Sequence, residues 1–194
     1  MHRPISIFVV VLALCARADG PADNLADKVR PVPPPGAAIS DADRAELQAG
    51  LEQLGAALGD ARHSPDVEIF HKAVRYALQY NEIFNPTNEV RAAKALLRQG
   101  LERAEQVKQD KAPWNSATGL VVRAYRSKLD DSVQPYGLIV PVSWTPNTSH
   151  RYRLDVWFHG RDEKLSELNF LAQRQKSYGE FVPENAIVLH TYSR

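Results

Sequence analysis

The feature that most constrains this chain is a change of hydrophobic period at Lys111-Ala112-Pro113-Trp114. Before it, apolar residues recur every three or four positions; after it, they alternate. Those two periods bury different kinds of face, so the order predicts helices first and a sheet afterwards. Ser40 to about Leu58 reads as a helix: Ser40 caps it, Asp41 and Asp43 suit the positive end of the dipole, and Leu47, Leu51, Leu54 and Leu58 form one stripe. Gly59 is placed to end it. A second helix follows Pro65, with Val67, Phe70, Val74 and Leu78 on one side and Ile69, Ala73, Tyr76 and Tyr80 beside them. So wide an apolar surface predicts a position between other elements. Asn85-Pro86-Thr87 starts a third helix carrying Val90, Ala93, Leu97, Leu101 and Ala104. Three such helices with short connections are expected to form a small bundle over 40–110.

Beyond the switch, Leu120 to Arg126 alternates and is rich in β-branched residues, which predicts a strand. Asp130-Asp131-Ser132 is a turn cluster, and Tyr136 to Trp144 reads as the next strand, closed by Pro146-Asn147. Arg151 to Phe158 is a third strand, with Leu154, Val156 and Phe158 on one face. Asp162 looks like the N-cap of a helix through about Gln175 that buries Leu165, Leu168 and Ala172 and is broken by Gly179. Ala186 to Leu189 is a wholly apolar strand, suited to cover on both faces. The expected class is α+β to α/β, with a sheet domain beginning at Gly119.

The amino terminus has a different purpose. His2 and Arg3, an apolar run from Ile5 to Ala16 and the Ala16-Arg17-Ala18 site are the three parts of a secretory signal, expected over 1–18 and cleaved near Ala18. The run is short for a membrane span, which needs roughly 20 apolar residues. Leu14 sits where a small residue would precede a lipidated Cys15. Residues 19–39, with Pro31, Pro33, Pro34, Pro35 and Gly36, read as an extended spacer. The expected location is therefore outside the cytoplasm, periplasmic or extracellular, with no membrane association after cleavage. The 24 Lys plus Arg against 23 Asp plus Glu argue against a nucleic-acid binder. The single Cys, lost with the signal, excludes an internal disulfide, and no zinc spacing occurs. No cofactor or metal is expected.

Chemistry is concentrated in Leu154 to Asp162, LDVWFHGRD. An apolar strand ending in His-Gly before a helix is the arrangement from which α/β-hydrolases take an oxyanion-hole N–H. Upstream, Tyr125-Arg126-Ser127-Lys128-Leu129-Asp130 leads to Gln134-Pro135-Tyr136-Gly137, then Leu138-Ile139-Val140-Pro141. Together these motifs resemble the opening hairpin and oxyanion strand of exported prolyl-oligopeptidase-like peptidases and esterases. The resemblance covers roughly 119–194, which it makes the start of an α/β-hydrolase-like domain, expected to be incomplete. It implies an ester or peptide substrate, His159 and Gly160 in the oxyanion loop, and Arg161 as the residue whose N–H faces the oxyanion. The loop lacks the glycine-rich HGGG form, having Arg161 and Asp162 instead. No G-x-S-x-G nucleophile elbow occurs in these 194 residues, so the chain alone is expected to be inactive.

Other candidates have simpler explanations. His190 ends an apolar strand and, with no Ser or Cys evident as a partner, reads as structural rather than as a general base. His71, beside Phe70 and Val74, reads as packed or solvent-bridging. The acidic pairs Asp66/Glu68 and Asp162/Glu163 suit helix dipoles better than glycoside hydrolysis. Trp114, Trp144, Trp157, Tyr136 and Tyr152 could stack on sugars, though strand aromatics usually pack in cores or across strands. Asn147-Thr148-Ser149 matches a glycosylation acceptor. The alternative function is a non-enzymatic exported module that binds a protein partner or carbohydrate. If the sheet is unfinished, an unpaired edge is expected at Ala186 to Leu189.

Overall fold

A computed structural model describes residues 32–60, 64–147, 149–160 and 162–192. The expected signal over 1–18, most of the spacer and Arg161 lie outside these residues. The rest of the spacer is bonded rather than free: Gly36 donates its N–H to Asn81 O (2.9 Å) and Ala37 to Ile83 O (2.7 Å). A side chain at Gly36 would sit 2.2 Å from the Asn81 carbonyl oxygen, so only glycine allows that approach.

Helices α1 (Asp41–Asp60), α2 (Pro65–Gln79) and α3 (Pro86–Lys108) form where the helical stripes predict them. Ser40 caps α1, its Oγ accepting from Asp43 N at 3.1 Å, and Asn85 caps α3 by accepting from Asn88 N. Gly59 does not end α1, which runs one residue past it. Helix α2 lies among α1, α3, the sheet and a fourth helix, as its broad apolar surface requires.

Strands β1 (Gly119–Arg126), β2 (Val133–Val140), β3 (Arg153–Trp157) and β4 (Ala186–Thr191) make one mixed sheet in the order β1-β2-β4-β3. The β1/β2 and β2/β4 pairs are antiparallel, whereas β3 and β4 are parallel, connected through α4 (Glu167–Arg174). The fold is therefore α+β. Strand β2 starts before Tyr136 and stops at Val140 rather than Trp144, because Pro141 has no N–H to continue the ladder. Helix α4 begins at Glu167, capped by Ser166 Oγ accepting from Asn169 N at 3.2 Å. The expected cap, Asp162, instead holds a turn through Lys164 N (2.9 Å).

The unpaired edge is not at Ala186 to Leu189. Strand β4 is flanked by β2 and β3, and the edge strands are β1 and β3. An uninterrupted apolar run suits the sheet interior, whereas Arg153 and Asp155 suit an edge that faces water. Helices α2 and α4 pack on one face of the sheet. On that side Val122, Gly137, His190 and Trp157 align across the four strands. Val122 and Val133 share one core with Leu47, Leu54, Phe70, Leu97, Leu168 and Phe170 of the helices, so bundle and sheet are not separate bodies. On the opposite face the row Val121, Leu138, Leu189, Val156 runs from buried through half-buried to exposed. There Trp114, Val121 and Val140 form a small second cluster, with Leu138 and Trp144 packed against it.

Polar ties join the layers. Asp66, at the start of α2, accepts from Arg123 Nε and Nη2, Ala124 N and Trp114 Nε1, all between 2.8 and 3.0 Å. Lys72 reaches from α2 to Glu167 of α4 (2.7 Å) and donates to Val133 O of β2 (2.6 Å).

Candidate functional site

The parallel pair β3/β4 sets the site. Both strands deliver their carboxyl ends to the same edge of the sheet, which is where ligands settle in sheets with crossover connections. There a cavity of about 210 Å³ is lined by Trp157, His159, Gly160, Arg174, Gly179 and His190, among others. A larger groove of about 870 Å³ lies between α1 and α3. Within it Lys94 pairs with Asp43 (2.9 Å) and Glu46 (2.7 Å), and Arg91 donates to Asn88 Oδ1 (2.9 Å). The smaller cavity is the better candidate because it sits where the two strand ends meet and two of its lining residues, His159 and His190, each bury a ring nitrogen without a protein partner among the described residues.

His159 follows the exposed Phe158 at the end of β3, and its Nδ1 lies 2.8 Å from Gly160 O. A carbonyl only accepts, so Nδ1 carries a proton, and in the neutral ring Nε2 presents a lone pair. That Nε2 is buried without a protein partner among the described residues. Gly160 is exposed, and a side chain there would meet nothing within 4 Å, so the glycine leaves open space outside the loop. Of the three expected oxyanion residues, His159 and Gly160 thus lie at the cavity, whereas Arg161 falls outside the described residues.

His190 is 3 % exposed, near the end of β4. Arg174 Nη1 lies 3.1 Å from its Nδ1. Arginine can only donate, so the neutral ring keeps its proton on Nε2, which is also buried and without a protein partner among the described residues. Burial pushes the imidazole pKa down to about 4, helped by the charge of Arg174 and by His159 nearby. Burial likewise lowers Arg174 from the usual guanidinium value. Gly137 makes that contact possible: a Cβ there would stand 2.9 Å from Arg174 Cγ, so the arginine stem lies directly across the β2 backbone. Gly179, with φ of +79°, turns the chain over the same corner.

His190 was legible only as a strand-end histidine; its partner Arg174 comes from a different element, and no local spacing links them. Asp66 carries out more than dipole matching, since four donors converge on it from elsewhere in the chain. His71 is packed, hydrogen-bonded to the Leu51 backbone, with burial lowering its pKa. Of the aromatic residues considered for sugar stacking, Trp114 and Trp144 pack in the second cluster, while Tyr136 lies against Tyr125. Tyr152 donates to Ser143 Oγ, and Trp157 alone lines the cavity, stacked on Phe181 at 5.5 Å and 13°. Among the described residues no three His, Cys, Asp or Glu side chains are grouped to hold a metal ion. No helix among them is long and apolar enough to cross a membrane. Comparison with family models, with curated proteins and with solved structures finds no match.

Proposed function

We propose that this chain is the amino-terminal portion of an exported prolyl-oligopeptidase-like serine hydrolase, a peptidase or esterase, with the His159-Gly160 loop placed to hold the oxyanion. The observation that carries the reading is the position of that loop. It leaves the third strand of the sheet and leads to the next helix, and α/β-hydrolases draw an oxyanion-hole N–H from the loop between their third strand and first helix. The open β3 edge and the bare sheet face, exposing Leu154 (57 %) and Val156 (45 %), favour further structure on that side. With no G-x-S-x-G in the 194 residues, the chain by itself has an oxyanion loop and no nucleophile elbow. Such a site retains only residual rate enhancement.

The purified chain is expected to turn over no aryl ester. Turnover abolished by a serine-directed phosphonate would reveal a nucleophile here and refute the account of the chain as inactive alone. The gene supplies the direct test of the family: reading on past Arg194, G-x-S-x-G, then an acid, then a His are expected in that order, and their absence overturns the hydrolase reading. The single core shared by helices and sheet favours a second reading, a finished non-enzymatic exported module that binds a protein or carbohydrate. Sedimentation and thermal unfolding separate the two. A module gives a monomer with one sharp transition, whereas the hydrolase portion self-associates through its bare face, and Val156→Lys reduces that association.

A further inference from the structure

We propose that a second copy of this chain pairs with the open edge of the sheet, β3 against β3, in an antiparallel register centred on Leu154. The two edges of the sheet differ. Along β1, side chains occupy backbone groups of the edge: Arg103 Nη2 donates to Val122 O (3.1 Å), and Asp66 Oδ1 accepts from Ala124 N (2.8 Å). Along β3, apart from the ladder to β4, no described residue bonds to the backbone, and every residue is exposed except the half-buried Asp155. An edge of that kind is a template for another strand.

The residues of β3 select both the partner and the register. Arg153 and Asp155 stand two positions apart on the helix-side face, where they pair with each other at 2.8 Å. In an antiparallel pair of identical strands centred on Leu154, each Arg153 lies directly opposite the partner's Asp155. Both cross-strand contacts then join opposite charges. Centring the pair on Arg153 or on Asp155 sets that charge against its own copy. On the other face, the Leu154 register brings the two exposed Leu154 side chains together and continues the bare apolar face into the second copy. A two-fold axis closes this contact as a dimer. Strands of five residues bury little area, so the dimer is weak and depends on concentration. The inference goes beyond the hydrolase reading. It uses no group of the oxyanion loop, and in the 194-residue chain the second copy takes the edge where that reading puts further structure.

Sedimentation of the purified full chain at concentrations up to about 1 mM is expected to show a monomer–dimer equilibrium. Arg153→Asp and Asp155→Arg each set like charges opposite one another at both contacts. Each is expected to weaken the dimer roughly tenfold or more. Mixed in equal amounts, the two variants are expected to regain association as a heterodimer, because every altered position then meets its opposite. Cysteine pairs read the register separately, with Cys15→Ser in both proteins. Leu154→Cys places the two Cα atoms about 4.5–5.5 Å apart at the dyad, within the span of a disulfide, and is expected to link on mild oxidation. Val156→Cys sets them about 13 Å apart and is expected to stay unlinked. A monomer throughout the concentration range overturns the proposal. So do charge variants that associate like the wild type, a mixture no better than its components, or Val156→Cys linking as readily as Leu154→Cys. Association through the bare face alone leaves the charge variants unaffected, so it counts against the edge dimer and not against the hydrolase reading, which the gene past Arg194 decides.

Discussion

The neutral, buried His190 makes stability depend on pH in a calculable way. Its folded pKa is about 4 against an ordinary 6.5. Between those values the unfolded chain binds a proton that the folded chain refuses, so stability rises with pH across that window. The contribution is fully present above pH 6.5 and is lost progressively as pH falls toward 4. At 1.36 kcal/mol per pKa unit, the loss relative to pH 8 is about 0.8 kcal/mol at pH 6, about 2 kcal/mol at pH 5 and at most about 3 kcal/mol below pH 4. His190→Gln removes the titration and keeps a donor near the Nε2 position. Urea unfolding of both proteins from pH 8 to pH 4.5 measures the effect. The wild-type protein is expected to lose its excess over the variant along that curve, most of it between pH 6.5 and 5. Because the difference between the two is read, carboxylates that titrate in both cancel. Two curves that stay parallel across the window would refute the claim that His190 is held neutral by its surroundings.

Lys72→Met removes the cation 2.7 Å from the buried Glu167 carboxylate and is expected to cost about 3–5 kcal/mol, whereas Lys72→Met with Glu167→Leu recovers most of it; equal midpoints for single and double variants would dissolve the coupling. Gly100→Ala improves helix propensity by about 1 kcal/mol, yet a Cβ there stands 2.6 Å from Leu54 Cδ2 and 3.0 Å from Phe70 Cβ. A net loss of about 1–2 kcal/mol is therefore expected in thermal or urea unfolding, and a stabilised variant would show that α1 and α3 can separate freely.

How much was legible beforehand follows from where the information lies. The caps Ser40 and Asn85 and the stripe through Leu47 and Leu54 act within a few residues of themselves, and those helices start where expected. The β1 range is likewise local, since alternation within one segment defines it. The end of β2 was missed because Trp144 extends the apolar pattern, while the ladder stops at a proline whose effect is on hydrogen bonding rather than hydropathy. Helix α4 starts later than the local pattern predicts because Asp162 and Ser166 are both acceptable caps; in the folded chain Asp162 closes a turn onto Lys164 N and Ser166 caps the helix.

Sequence alone therefore determined the periodic elements, their order, the His-Gly loop after the third strand and the absence of a nucleophile elbow within 194 residues. Each of these is a property of neighbours along the chain. Only the tertiary structure decided that β4 lies inside the sheet and β3 at its edge, because strand order reflects which faces find cover, not which strand comes last. Only it brought Arg174 to His190 and so set the tautomer of that ring. The hydrogen-bonding character of His190 comes from a partner in another element, and the two meet only when the chain has folded.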